Sequence, residues 1–293
     1  MKKETSLKWF KDGVEVTGVE YNPQTGISTL VVTQVTKKEE GIYKVVLCDE
    51  RGEDTSVIEL VDEDYEKVLR DLSRACALSA SPLKIQCTVL GFKLYCSLKY
   101  YLDYMKTSWH FKEKRIDGEE RTKIGSSIQK VWIEIFSPTE ANKGKYTLEM
   151  FDGRETHKRT LDLSGQAFDD ALIEYQRLRQ ADIADKNRAR VTKGLPDVVA
   201  IMEDKSLCLT CFTSGDPSPE VFWLKNDREI VTGGQYNITK DNVGSTITIN
   251  AVTTEDSGKY SVFARNKHGS ETVSVTVSVY RHGETPKEGE VLL

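Results

Sequence analysis

Apolar and polar residues alternate with a period of two in three regions of the chain, and two stretches with a helical period lie between them. In the first region, Leu7-Lys8-Trp9-Phe10-Lys11-Asp12-Gly13 is followed by Ile27-Ser28-Thr29-Leu30-Val31-Val32 and then by Gly41-Ile42-Tyr43-Lys44-Val45. In the second, Ser108-Trp109-His110-Phe111 precedes Val131-Trp132-Ile133-Glu134-Ile135 and Gly144-Lys145-Tyr146-Thr147-Leu148. In the third, Val221-Phe222-Trp223-Leu224 precedes Ser245-Thr246-Ile247-Thr248-Ile249 and Gly258-Lys259-Tyr260-Ser261-Val262. The first helical stretch carries Tyr65, Val68, Leu69, Leu72, Ala75 and Cys76 on one face, with Asp62, Glu63 and Asp64 in its first turn, where the helix dipole favours them. Glu63–Lys67 and Glu66–Arg70 are spaced as supporting i,i+4 pairs. The second places Phe168, Ala171, Leu172, Tyr175, Leu178 and Ile183 on one face, and Gly194-Leu195-Pro196 closes it. A continuous helix from Gln166 to Val191 would be roughly 40 Å long.

The three alternating blocks are repeats. Trp9 to Tyr43, Trp109 to Tyr146 and Trp223 to Tyr260 are separated by 34, 37 and 37 residues. A Trp that fills the core from one strand, and a Gly-x-Tyr turn ahead of a later strand, form the pattern of immunoglobulin-like sandwiches. The predicted fold class is therefore mainly β: immunoglobulin-like sandwiches of I-set type in tandem, connected by long α-helices. Residues 1–61 form a partial domain that starts at its strand C and lacks strands A and B, as expected of a fragment of a longer protein. Its inner face is then uncovered, which makes it the least stable part. Residues 62–80 are a helical linker, 81–163 a second sandwich, 164–193 a long helical linker and 194–280 a C-terminal sandwich. The charged tail 281–293, with its Gly and Pro, is predicted not to fold.

Composition narrows the function classes. With 41 basic and 46 acidic residues the net charge is −5, which argues against a general nucleic-acid binder. No run of apolar residues is long enough to span a membrane, and the amino-terminal MKKETSLKWFKDG lacks the apolar core of a signal peptide. Disulfide-bonded sandwiches carry a Cys two residues after the strand F Tyr. Here those positions are Val45, Leu148 and Val262, which leaves Cys96 and Cys211 on their strands B without partners. That pattern places the protein in a reducing compartment, the cytoplasm. Cys208 and Cys211 lie three apart on one strand and so face opposite ways, and the Asn237 sequon has no role in a cytoplasmic chain. His110, His157, His268 and His282 are scattered without metal-ligand spacing, and no phosphate loop, nucleophile elbow or kinase signature occurs. No catalytic, cofactor-binding or metal residue is assigned, no cofactor is implied, and an enzyme is not expected.

The stretch Ala167 to Arg190, the joint Gly194-Leu195-Pro196-Asp197-Val198-Val199 and the close Val277-Ser278-Val279-Tyr280-Arg281-His282-Gly283-Glu284 resemble the C-terminal part of the myomesin family, over essentially the whole chain. The resemblance implies a cytoplasmic M-band protein of the sarcomere that bridges myosin thick filaments. It implies titin as a further partner, and an antiparallel, tail-to-tail homodimer through the C-terminal sandwich, with helical linkers as elastic elements. It implies no nucleic-acid or membrane partner. For the dimer contact, Pro196 interrupts strand A and frees part of strand B, Lys205 to Thr213, for pairing with a second copy. Leu207, Leu209 and Cys211 are then inward and Cys208, Thr210 and Phe212 outward. Two other readings stand beside this one: a fragment of an adhesion or receptor ectodomain, and a muscle scaffold module that does not dimerise.

Overall fold

The computed structural model describes residues 5–293. The chain divides into two compact units, one ending at Leu178 and the other running Arg179–Leu293. The first unit begins with β1 (Ser6–Lys11), β2 (Val14–Val16), β3 (Glu20–Asn22), β4 (Ile27–Thr29), β5 (Gly41–Asp49) and β6 (Gly52–Leu60). They make one sheet in the order β2-β1-β5-β6 and a separate β3–β4 hairpin. Trp9 stands opposite Val45, and Tyr43 opposite Ile58. The inner face lacks a covering sheet of full size, and Leu47 and Ile58 stay 40% and 53% exposed. Met150, which holds the place of Leu47 in the second sandwich, is fully buried.

That second sandwich comprises β7 (Lys84–Cys87), β8 (Gly91–Ser97), β9 (Lys106–Phe111), β10 (Lys114–Ile116), β11 (Thr122–Ser127), β12 (Lys130–Phe136), β13 (Gly144–Phe151) and β14 (Thr156–Leu163). Its sheets run β11-β12-β8-β7 and β10-β9-β13-β14. Alternate residues Phe92, Leu94 and Cys96 of β8, and Val131, Ile133 and Ile135 of β12, meet Trp109, Tyr146 and Leu148 in a closed core. This is the period-two pattern of the sequence expressed as two facing layers.

Helix α1 (Asp62–Leu78) joins the first sheet to this sandwich. Its buried stripe is Tyr65, Leu69, Ser73, Cys76 and Ala77. The predicted face differs in part: Ala75 is exposed and Val68 and Leu72 are half-buried. Ser73 and Ala77 are wholly enclosed instead: α1 packs beside β13, and β14 reaches the helix end through the Arg159 side chain. There Arg159 donates from Nε to the Ala80 carbonyl at 3.1 Å and from Nη2 to that of Ala77 at 3.3 Å, satisfying carbonyls at the helix end. Tyr100 donates its hydroxyl to the Leu72 carbonyl. At the other end the Tyr65 hydroxyl donates to the Thr36 carbonyl, and Glu40 accepts from the Asp62 N–H at 2.7 Å. Of the two predicted i,i+4 pairs, Arg70 meets Glu66 at 3.0 Å.

Helix α2 (Gln166–Asn187) begins on the second sandwich. Phe168, Ala171 and Tyr175 are buried, and Leu172 and Leu178 are half-buried. The Phe92 ring takes Phe168 and Tyr175 edge-on at 5.7 and 6.3 Å. Lys143 holds Asp169 at 2.7 Å. From Gln176 to Arg188 no residue is buried, and Ile183 is 41% exposed. The sequence pattern predicts helix to Val191, but α2 stops at Asn187 and is 22 residues long, about 33 Å. The Asn187 carbonyl accepts from Asp216 N–H at 3.0 Å and from Asn266 Nδ2 at 2.7 Å, which turns the chain out of the helix.

The third sandwich comprises β15 (Arg190–Lys193), β16 (Val198–Met202), β17 (Leu207–Ser214), β18 (Glu220–Lys225), β19 (Arg228–Ile230), β20 (Tyr236–Lys240), β21 (Gly244–Ile249), β22 (Gly258–Asn266) and β23 (Gly269–Tyr280). Residues 190–193, assigned to the linker by the sequence pattern, are thus a sheet strand. The sheets run β15-β17-β21-β20 and β16-β23-β22-β18-β19, with β16 parallel to β23. Residues 281–293, predicted not to fold, turn back instead along β16. Leu293 N–H donates to the Ala200 carbonyl at 2.9 Å, and Glu290 accepts from Ser278 and Tyr280.

Candidate association edge of the third sandwich

Six aromatic residues set the frame of the repeats. Trp109, Trp223, Tyr146 and Tyr260 are almost wholly enclosed, Tyr43 is buried and Trp9 half-buried. Each Tyr hydroxyl donates to a backbone carbonyl four residues earlier: Tyr43 to Glu39 at 2.6 Å, Tyr146 to Asn142 at 2.6 Å, Tyr260 to Asp256 at 2.8 Å. Burial pushes the Tyr146 and Tyr260 phenols well above their ordinary range, so they remain donors. Trp9 and Trp223 each donate from the indole to a serine, Ser28 and Ser245, at 2.9 Å.

In the third sandwich strand A is split in two. Arg190–Lys193 pairs with β17 only at Phe212, Thr213 and Ser214. After Gly194-Leu195-Pro196 the chain crosses to the other sheet as β16. Pro196 has no N–H to donate, so the break falls where the ladder can lose a strand. Among the described residues, no strand pairs with Leu207 to Cys211 on the side away from β21.

The alternation along β17 decides which groups face that open side. Leu207, Leu209 and Cys211 are buried, while Cys208, Thr210 and Phe212 lie on the outer face. Thr213 N–H donates to the Val243 carbonyl at 2.8 Å. With a period of two, residues 207, 209 and 211 also bond across to β21, and the N–H and C=O groups of Cys208 and Thr210 point to the open edge. Phe212 is 36% exposed with Lys193 Nζ 6.0 Å from its ring centre, and the Thr210 hydroxyl bonds that of Thr246 at 2.9 Å. All six cysteines are free thiols, and burial raises Cys76 to about 11.

One cluster escaped the sequence pattern. The hairpin between β13 and β14 brings ligand atoms of Asp152, Glu155 and His157 within 4.8 Å of one another. Asp152 Oδ1 accepts from the N–H groups of Arg154 and Glu155 at 2.8 Å, and its Oδ2 lies 2.7 Å from His157 Nε2. These contacts clasp the hairpin. Burial of Asp152 works against its charge, but the backbone N–H groups and His157 outweigh it and hold the carboxyl below its ordinary 3.8. A depressed carboxyl stabilises the fold above the ordinary value and loses that contribution as pH falls through its own lower value. Asp152→Asn is expected to cost about 1 kcal/mol at neutral pH and to flatten the acid limb below pH 3.8, read by chemical unfolding across pH.

Tandem two-sheet modules with a core Trp, a tyrosine bonded back across its corner and free thiols define the chain as a protein of the immunoglobulin I-set class. The family model "Immunoglobulin I-set domain" matches residues 190–279, starting where β15 starts. Nearly the whole chain is homologous to the myomesin and M-protein group. It is 49% identical over 286 residues to "M-protein, striated muscle" of Gallus gallus and 47% identical over 285 residues to "Myomesin-2" of Homo sapiens, covering 97% of this chain in each case. The chain spans 20% of the length of each of these curated relatives. Among solved structures, the titin I-band fragment I67–I69 is similar, at 19% identity, with 94% of this chain and 88% of that one covered and a TM-score of 0.31. Among the described residues no helix is long and apolar enough to cross a membrane.

Proposed function

We propose that the chain is a structural, non-enzymatic crosslinking segment of the sarcomeric M-band in the cytoplasm. In this reading it joins a second copy tail to tail through the third sandwich and so helps to bridge myosin thick filaments beside titin. The observation that carries the reading is the open edge of β17, five residues long, with Cys208 and Thr210 directed outward. Two such edges related by a two-fold axis extend each sheet into the other, antiparallel, and satisfy each other's donors and acceptors. The relative named for striated muscle supplies the setting. The two helices act as springs in the same account, α2 first, because its second half has no buried residue and yields before strand-paired sandwiches.

Thr210→Pro removes an edge N–H and leaves the β17–β21 bonds in place, and Phe212→Glu puts charge beside the same edge. Both variants are expected to sediment as monomers of 33.1 kDa, whereas the unmodified chain sediments at twice that mass. A dimer that survives both substitutions overturns the edge-pairing account.

A further inference from the structure

Three of the four tryptophans occupy the core position of their modules. The fourth, Trp132, lies on β12 between buried Val131 and Ile133 and faces outward. Strand register builds a row beneath it: Lys84 on β7, Tyr95 on β8, Trp132 on β12 and Gly125 on β11 stand side by side. Gly125 makes room for the indole, since a Cβ there would meet the ring at 2.6 Å. Lys93 holds its ammonium 4.4 Å from the Trp132 ring centre, and Lys130 sits 5.1 Å from that of Tyr95. Lys123 stands in the next row opposite Glu134, which is the one carboxylate of these rows and lies 3.8 Å from Lys93. Four lysines against one glutamate leave this face three charges positive, on a chain whose net charge is −5.

The fold does not demand this surface. In the third sandwich the equivalent row is Thr210, Thr246 and Thr239, neutral and joined by hydroxyl contact. That row is therefore stable without aromatic rings or lysines. Half-exposed Trp and Tyr are the side chains most enriched at the energetic centres of interfaces, and lysines around them select charge.

We propose that the outer face of β11, β12, β8 and β7 is a docking surface for an acidic polypeptide segment. Its carboxylates meet Lys84, Lys93, Lys123 and Lys130, and an apolar or proline side chain lies on the Trp132–Tyr95 platform. A flat sheet face with a single aromatic row suits an extended segment better than a folded globule.

The test uses the full chain and a labelled short peptide of glutamate and proline, followed by anisotropy of the label and by the change in total tryptophan fluorescence. Saturable binding is expected, weakening as salt rises from about 50 to about 200 mM. Replacing the platform by the residues of the sister sandwich, Trp132→Thr with Tyr95→Thr, is expected to weaken binding about tenfold or more. Lys84→Glu with Lys130→Glu should do the same, and it decides the matter if the first variant fails to unfold cooperatively. Absence of binding, or equal binding by the folded variants, overturns the proposal. So does tighter binding of an oligonucleotide or of phosphatidylserine vesicles than of the peptide, which would make the face a general polyanion patch.

Discussion

Phe168→Ala is expected to destabilise the second sandwich by about 3–5 kcal/mol and to loosen the first half of α2. The Phe168 ring is wholly enclosed and packs edge-on against Phe92, which also receives Tyr175. Removing it empties the site where two faces meet, the end of a β-sandwich and the start of a helix that lacks a core of its own. The neighbouring contacts, Lys143 to Asp169 and Cys87 to the Ala171 carbonyl, are too few to hold the turn closed. Chemical unfolding read by tryptophan fluorescence gives the loss of stability. Hydrogen exchange over residues 166–175 shows whether the helix start opens with it. Ile183→Ala is the matched control: its side chain is 41% exposed and its loss should stay within about 0.5 kcal/mol. Equal effects at the two positions would mean that α2 is not anchored through Phe168.

The second large effect is mechanical. Extending α2 from helix to open chain lengthens it from about 33 Å to about 75 Å. The stretch from Gln176 to Arg188 has no buried residue and is therefore expected to give first under load. Helix α1 should hold longer. It buries Tyr65, Leu69, Ser73, Cys76 and Ala77 along its length and is tied at its end by Arg159. In single-molecule pulling, a low-force extension of about 20 Å, from the stretch after Tyr175, should precede the unfolding of any sandwich. Ala181→Gly, on an exposed helix position, costs about 1 kcal/mol of helix stability and should lower the force of that first step. Traces in which sandwich-sized steps come first, unchanged by Ala181→Gly, would remove the spring from the account.

The repeats were legible because the Trp and Tyr that define each module are local in sequence and large enough to dictate their own burial. The two helices were legible from their period, since no β-branched run competes with it. The end of α2 was not, because it depends on Asn266, far along the chain, taking the Asn187 carbonyl. The docked face of α1 was misread at Ala75 because Ser73 carries no apolar signal, yet it is wholly enclosed. The folded-back tail escaped because charge and proline mask a backbone bond to Ala200. The open edge of β17 could be anticipated from Pro196 alone, since a residue without N–H fixes where a strand must leave the ladder. The surface around Trp132 had no meaning until register put Lys84, Tyr95 and Gly125 beside it.

Amide hydrogen exchange at Cys208 and Thr210, followed as the concentration of the chain is raised, tests the crosslinking account most directly. Their N–H groups face the open edge, whereas that of Leu209 bonds across to β21 by the alternation of the strand. The account predicts that protection at Cys208 and Thr210 rises with concentration while Leu209 is protected throughout. Exchange at Cys208 and Thr210 that stays fast at concentrations where the chain is dimeric would contradict it.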